Sequence, residues 1–315
     1  MNRRTFLKES ASCSAYLAAL ASIGSSSRIF SQEPDDTIVA REKWGYLQQL
    51  APGVYAMIST GFTSGDYTTV CNSGIIAGKT GTLVIEGTMR PEGAAWIAAQ
   101  AEKLTGRGPT DLVVSHFHGD HVNGHAGYEI NGKRPKTWVT AATKTAAEKN
   151  FEKADPPIGK FNDVQVLNAD ERTEIDLGGR SVSLVPRTGH TRSDVTIEIS
   201  EPEVIWTGDL YFNRIFPNYG DATPPLLNSY ARHLLGREGS LVVPGHGPIA
   251  DQAALLAYDE FLKTIEAAAR SAHKAGTPAA KAAGEYKLPD AMSEWLVWSP
   301  KNMTRAFHAW YRALE

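Results

Sequence analysis

The chain has 315 residues, 21% of them charged, and a formal net charge of −3. A mildly acidic chain argues against a nucleic-acid binder, which would present a basic face, and this length suits one large domain or two small ones. Two cysteines, Cys13 and Cys71, are too few for a disulfide framework.

At the N-terminus, Asn2-Arg3-Arg4-Thr5-Phe6-Leu7-Lys8 precedes the Ala/Ser-rich apolar run Ala11–Ile23. The pair resembles a twin-arginine export signal; the bland alternative is a basic amphipathic helix. The apolar run is too short to span a bilayer. Cleavage is expected among Ser25–Ser31. Residues 1–31 are then a signal peptide, residues 32–315 the mature protein, the twin-arginine export machinery a partner, and the destination periplasmic or secreted, with no stable membrane insertion. Residues 1–31 carry Arg3, Arg4, Lys8 and Arg28 against Glu9, so the net charge moves from −3 to −6 without them. Cys71 would then be the last cysteine, and its strand-like setting suits a small buried hydrophobe.

Beyond residue 32 no linker, repeat or low-complexity segment divides the chain, so one domain is expected. Gly53–Ser59, Tyr67–Ala77 and Thr82–Ile85, rich in Val, Ile and Thr, read as a β-meander. Glu92–Leu104 reads as a helix, opened by Pro91 and closed by Gly106. A short apolar strand over Thr110–Val114 leads into Ser115-His116-Phe117-His118-Gly119-Asp120-His121. A strand at Thr137–Thr140 and a helix over Ala141–Lys153 follow. A second meander is expected from Val164–Leu167, Arg172–Leu177, Ser181–Val185, Asp194–Ser200 and Glu203–Trp206. Then come a helix over Leu226–Leu235, a strand at Leu241–Val243, a helix over Asp251–Ala275, and a helical tail over Ala291–Leu314, within an extension from about residue 276 to 315. The pattern alone predicts a two-layered α/β or α+β domain.

The histidine loop carries the chemistry. Gly119 and Gly124 let the backbone turn tightly just past the strand. Imidazole and carboxylate are the donor set of zinc and its neighbours. In extended chain His116 and His118 lean the same way toward one ion, while Asp120 and His121 follow a turn and can face a second. A plain His-rich surface loop is the competing reading.

His116-x-His118-x-Asp120-His121 at a strand end resembles the signature of the metallo-β-lactamase superfamily. Thr188-Gly189-His190-Thr191, Trp206-Thr207-Gly208-Asp209-Leu210 and Pro244-Gly245-His246-Gly247 are similar to its later elements, in its order, over about residues 52–270. The resemblance implies an αββα four-layer sandwich. It implies a first metal site at His116, His118 and His190, a second at Asp120, His121 and His246, and Asp209 bridging the two. Two zinc ions per chain would share a hydroxide that attacks a lactam, lactone, ester or thioester of a small molecule. Asp120 would orient that hydroxide or hand a proton to the leaving group. Asp209-Leu210-Tyr211-Phe212-Asn213 is similar to a periplasmic group associated with quinoprotein and sulfur-oxidation systems.

Two positions depart from the pattern. Glu86 stands where the family commonly has Asp, and Asp209 where its classical lactam-hydrolysing zinc enzymes have Cys or Ser. A class B β-lactamase proper and a mononuclear iron persulfide dioxygenase therefore stay as alternatives. Substrate contacts are expected from Phe62, on a flap over Gly61–Asp66, and from Tyr211, Asn213 and Arg214. His125, Asn123 and Thr191 are open between supporting and loop roles, and His233, His273 and His308 read as surface or satisfied polar residues.

Overall fold

The computed structural model describes residues 36–315; the twin-arginine stretch and Cys13 lie outside them. Two sheets face each other. The first runs in the order β1 (Ile38–Glu42), β2 (Gly45–Ala51), β3 (Val54–Ser59), β4 (Ser73–Ala77), β5 (Thr82–Ile85), β6 (Asp111–Val113), β7 (Lys136–Thr140) and β8 (Val164–Leu167). The second holds β9 (Thr173–Asp176), β10 (Ser181–Arg187), β11 (Asp194–Ser200), β12 (Glu203–Trp206) and β13 (Leu241–Val243), with β13 at one edge and β9 at the other. The helices are α1 (Gly61–Ser64), α2 (Pro91–Thr105), α3 (Gly119–Val122), α4 (Ala141–Phe151), α5 (Pro224–Leu235), α6 (Gln252–Lys274), α7 (Ala279–Glu285) and α8 (Lys301–Leu314).

Side chains alternate across each strand, and that alternation builds the layers. Val54, Ala56 and Ile58 of β3 point inward with Leu83 and Ile85, against Val182, Leu184, Val195, Ile197 and Trp206 of the second sheet. Their neighbours Tyr55 and Met57 point outward with Ile75 and Val84, under Ala94, Ile97 and Ala101 of α2. On the far side Ile205 and Val242 are covered by α5, α6 and α8 through Leu227, Leu234, Phe261, Phe307 and Trp310. Each large apolar side chain so buried contributes about 1.5–3 kcal/mol. Helix, sheet, sheet, helix is the αββα sandwich that the family resemblance implies, where the pattern alone predicted two layers.

Four local expectations change. The β1–β2 hairpin was not anticipated, because Gln48 and Gln49 interrupt the apolar rhythm of β2. β8 pairs in parallel with β7 and so joins the first sheet, not the second meander. β4 starts at Ser73 rather than Tyr67, because Val70 takes a left-handed φ of 67° and Asn72 turns its amide onto Pro244 and Gly247. After a single 3-10 turn at Asp290–Met292 the tail is α-helical only from Lys301, since Leu296 exchanges backbone hydrogen bonds with Arg214 and Phe216; α7 lies upstream.

Candidate metal centre

Four loops meet where strands of the two sheets end. His116 to His121 follow β6, His190 lies between β10 and β11, Asp209 follows β12, and His246 follows β13. Backbone hydrogen bonds tie them together: Val195 N–H to the Ser115 carbonyl, Thr207 N–H to Val243, Gly245 N–H to Gly208, and Asn213 N–H to His246. Residues distant in the sequence therefore share one rigid frame.

Seven side chains from these loops form two clusters, His116, His118, His190 and Asp209 in one and Asp120, His121 and His246 in the other. In the first, His118 Nδ1 is 3.1 Å from His116 Nε2 and 3.0 Å from His190 Nε2. Asp209 Oδ2 is 3.3 Å from His190 Nε2 and 3.7 Å from His116 Nε2. In the second, His246 Nε2 is 3.3 Å from Asp120 Oδ2 and 3.2 Å from Asp209 Oδ1. His121 Nε2 is 3.5 Å and 3.2 Å from the same two oxygens. The two oxygens of one carboxylate thus face different clusters.

The spacing fits a cation. Four donors held about 2.0–2.1 Å from a tetrahedral ion stand roughly 3.3–3.4 Å apart. Asp209 Oδ1 and His121 Nε2 are buried with no hydrogen-bond partner. A buried charged oxygen left so is costly unless a positive charge faces it.

The surroundings fix which nitrogen each ring presents. His246 Nδ1–H donates to the Val70 carbonyl at 3.2 Å, leaving Nε2 as the ligand atom. That carbonyl is aimed by the left-handed backbone of Val70, an unfavourable state for a β-branched residue. His118 Nε2–H donates to Asp221 Oδ2 at 2.9 Å, so Nδ1 is the free one. Glu86, also left-handed at φ 67°, sets Oε1 3.1 Å from His121 Nδ1 and accepts the Ser115 N–H on Oε2. The longer side chain at this position still reaches the cluster. Cys71 is fully buried, and its thiol donates to the Asp120 carbonyl at 2.9 Å, so it supports the loop as well as filling space.

A sequence profile described as the metallo-beta-lactamase superfamily matches residues 66–246. The chain belongs to this superfamily. Its members are mostly metal-dependent hydrolases, and the chain is an enzyme of that kind. A metallo-beta-lactamase type 2 of Bacillus sp. (strain 170) is 23% identical over 84% of this chain and all of its own length. The same-named protein of Bacillus cereus is 24% identical over 69% of this chain and 82% of its own. Among solved structures, a metallo-beta-lactamase from Pontibacter korlensis aligns at TM-score 0.57 with 21% identity, over 70% of this chain and 99% of its own. The sec-alkylsulfatase Pisa1 from Pseudomonas sp. aligns at 0.65 with 15% identity, over 85% of this chain and 50% of its own. These two likenesses speak to the fold alone.

Other expected site residues in this superfamily member are sorted by the structure. Phe62, on α1, sits with its ring 5.3 Å from that of His246 and stacks on Trp298 at 5.9 Å, at the edge of the cluster. Tyr211 and Asn213 are corrections. Tyr211 is fully buried against Tyr258 in the helical layer, and Asn213 is buried with its amide on the Pro248 carbonyl. Phe212 pairs with His246 as a β-bridge, so alternation turns its two neighbours to the opposite face. It is Phe212 that backs the centre, stacked on His246 at 5.1 Å and 5.8 Å from His190. Arg214 is exposed, and its carbonyl accepts the Leu296 N–H. Asp221 and Phe212 were not singled out; period-two alternation past Asp209 points to Phe212, whereas nothing local points to Asp221.

His125 proves a loop anchor, donating from Nε2 to the Gly159 carbonyl and packed between Phe151 and Phe161. Thr191 serves its turn, with hydroxyl and N–H both on Asp194. Asn123 donates to Met89 Sδ.

The electrostatics divide the histidines. Burial holds His116 and His190 neutral, His190 at about 3. Burial opposes charge at His246 too, but Asp209 and Asp120 outweigh it and lift the imidazole to about 9. For Asp120, burial would raise the carboxyl, yet His121 and His246 bring it down to about 2. In the metal-free protein, protons thus stand where cations would, and metal binding must release them.

A pH dependence follows for the chelated protein. Below the ordinary histidine value of 6.5 the unfolded chain binds a proton that buried His190 refuses, so stability falls as pH drops from 6.5 toward 3. His246 acts oppositely: its contribution is complete below 6.5 and is lost as pH rises through about 9. Calorimetry of chelated protein from acid to alkaline pH should show a thermal midpoint highest near pH 6.5. A midpoint climbing steadily from 6.5 to 9 would contradict this.

Proposed function

We propose that the chain is a binuclear zinc hydrolase that cleaves a carbonyl-containing bond of a small molecule. The carrying observation is Asp209, whose Oδ2 faces His116 and His190 while Oδ1 faces His121 and His246. His116, His118, His190 and Asp209 would hold one cation; Asp120, His121, His246 and Asp209 the other. A bound zinc pair would supply a water whose pKa is lowered to about 7 and a Lewis acid for the scissile carbonyl.

The chain's residues supply the rest. His118 and Asp120, with side chains 17% and 20% exposed, are the open members of the cluster and mark the side from which substrate enters. Asp120 stays ionised and stands at that opening, placed to orient the nucleophile, to accept the proton the nucleophile gives up and to hand that proton on to the leaving group. Phe62 and Phe212 give the centre apolar walls that exclude water. Two aromatic walls favour an organic substrate with an apolar part.

Bridging by Asp209 favours lactone, ester or thioester cleavage and a place near the periplasmic group associated with quinoprotein and sulfur-oxidation systems. The type 2 metallo-beta-lactamases among the relatives favour lactam cleavage as the second reading. Export by the twin-arginine route, to the periplasm or beyond, belongs to the same proposal and rests on Arg3-Arg4.

Metal analysis of the purified protein should find two zinc ions per chain, with hydrolysis lost on chelation and restored by zinc. A panel of lactam, lactone, ester and thioester substrates then ranks the bonds. One iron per chain with oxygen consumption on a persulfide would replace this reading with the dioxygenase.

A further inference from the structure

The tail helix α8 presents Lys301, Arg305, His308 and Arg312 at helical spacing along one wall of a groove of about 460 Å³, closed on the other side by Gly220. No acidic residue lines it. Among the described residues neither Lys301 nor Arg312 forms an ion pair. Arg305 makes no direct ion pair either, though it donates to the Asn218 amide oxygen at 3.3 Å and, behind the His118 hydrogen bond, its charge helps hold the nearby Asp221 carboxyl below its ordinary value. A basic helix face is commonly just solvated surface. This one differs in its neighbours.

Gly220 immediately precedes Asp221, whose carboxylate is engaged by His118. The Arg305 guanidinium lies 6.0 Å over the ring of Trp298, which stacks on Phe62, which in turn packs on His246. Two chains of contact therefore lead from the groove toward the cluster, one from Gly220 through its neighbour Asp221 to His118 and one from Arg305 through Trp298 and Phe62 to His246.

We infer that this groove is a substrate subsite, and that the natural substrate is an organic anion: an apolar body seated against Phe62 and Trp298, with a carboxylate, sulfate or phosphate group held by Arg305 and assisted by Lys301 and Arg312. Guanidinium suits such groups because its paired N–H donors match two oxygens at once. This deepens the hydrolase reading of the same centre, while its binding arm can be tested without turnover.

Two para-nitrophenyl esters, one with an acyl chain ending in carboxylate and one in methyl, should be compared on the zinc-loaded protein. Arg305→Gln should lower the carboxylate-to-methyl ratio of kcat/KM about tenfold, as expected for losing a charge-assisted pair. Arg305→Lys should recover part of it, and added salt should erode the wild-type ratio. In parallel, fluorescent naphthalene carboxylate, sulfonate and phosphate probes should each lose affinity about tenfold in Arg305→Gln, their ranking in the wild type naming the headgroup. Lys301→Gln/Arg312→Gln alters only exposed side chains and repeats the test should Arg305→Gln fold poorly. An unchanged ratio together with unchanged probe affinity in these variants overturns the subsite. If neither ester is turned over, the hydrolase reading fails while probe binding still decides this one.

Discussion

Asp209→Ala should lower kcat/KM about a thousandfold or more while the chain still folds. Catalytic loss on that scale, about 4 kcal/mol, matches removal of a preorganised charge from a buried reacting centre. Here the loss is double, because one carboxylate serves both clusters: alanine leaves three imidazoles in the first and two imidazoles with Asp120 in the second. The side chain belongs to none of the three apolar cores, so no cavity opens in them. Circular dichroism should stay native, metal content should fall below two per chain, and hydrolysis should disappear. His118→Ala should behave alike. Near-normal turnover by either variant would end the two-cation reading.

Gly245→Ala should also damage the centre, by a different route. A Cβ on Gly245 would fall on Asp209 Oδ1 and within 2.7 Å of the Gly208 carbonyl carbon. Gly208 cannot retreat, because its carbonyl already accepts the Gly245 N–H at 2.8 Å, and the Gly245 carbonyl accepts the Asn72 N–H. One methyl group must therefore displace either the metal carboxylate or the backbone that carries it. Overpacking of this kind costs about 1–3 kcal/mol, and disturbed ligand support weakens metal binding about 10–100-fold. The variant should show a thermal midpoint several degrees lower and incomplete zinc loading. A full complement of metal at the wild-type midpoint would show the loops to be looser than their hydrogen bonds indicate.

Much of the layering was legible, because Asp194–Ser200 alternates in character and Val54–Ser59 is apolar on both faces, as a strand buried between a helix layer and a second sheet must be. The assignments that changed share a cause. Tyr67 to Asn72 carry strand-like residues, but Val70 is turned by a carbonyl contact to His246, 176 positions away. Tyr211 and Asn213 were placed in the site by their nearness to Asp209, whereas pairing between Phe212 and His246 turns them away from it.

By itself the amino-acid sequence supplied one loop of three imidazoles and a carboxylate, because ligand chemistry is local to the side chain and the turn that presents it; His190, Asp209 and His246 joined that set only through the resemblance to the family pattern. Tertiary structure alone decided which oxygen of Asp209 faces which cluster, that Asp221 holds His118 across 103 positions, and that Arg305 of α8 lies over Trp298, which stacks on Phe62. Those relations depend on how two sheets and their outer helices pack, and packing is set by contacts between residues that no local pattern brings together.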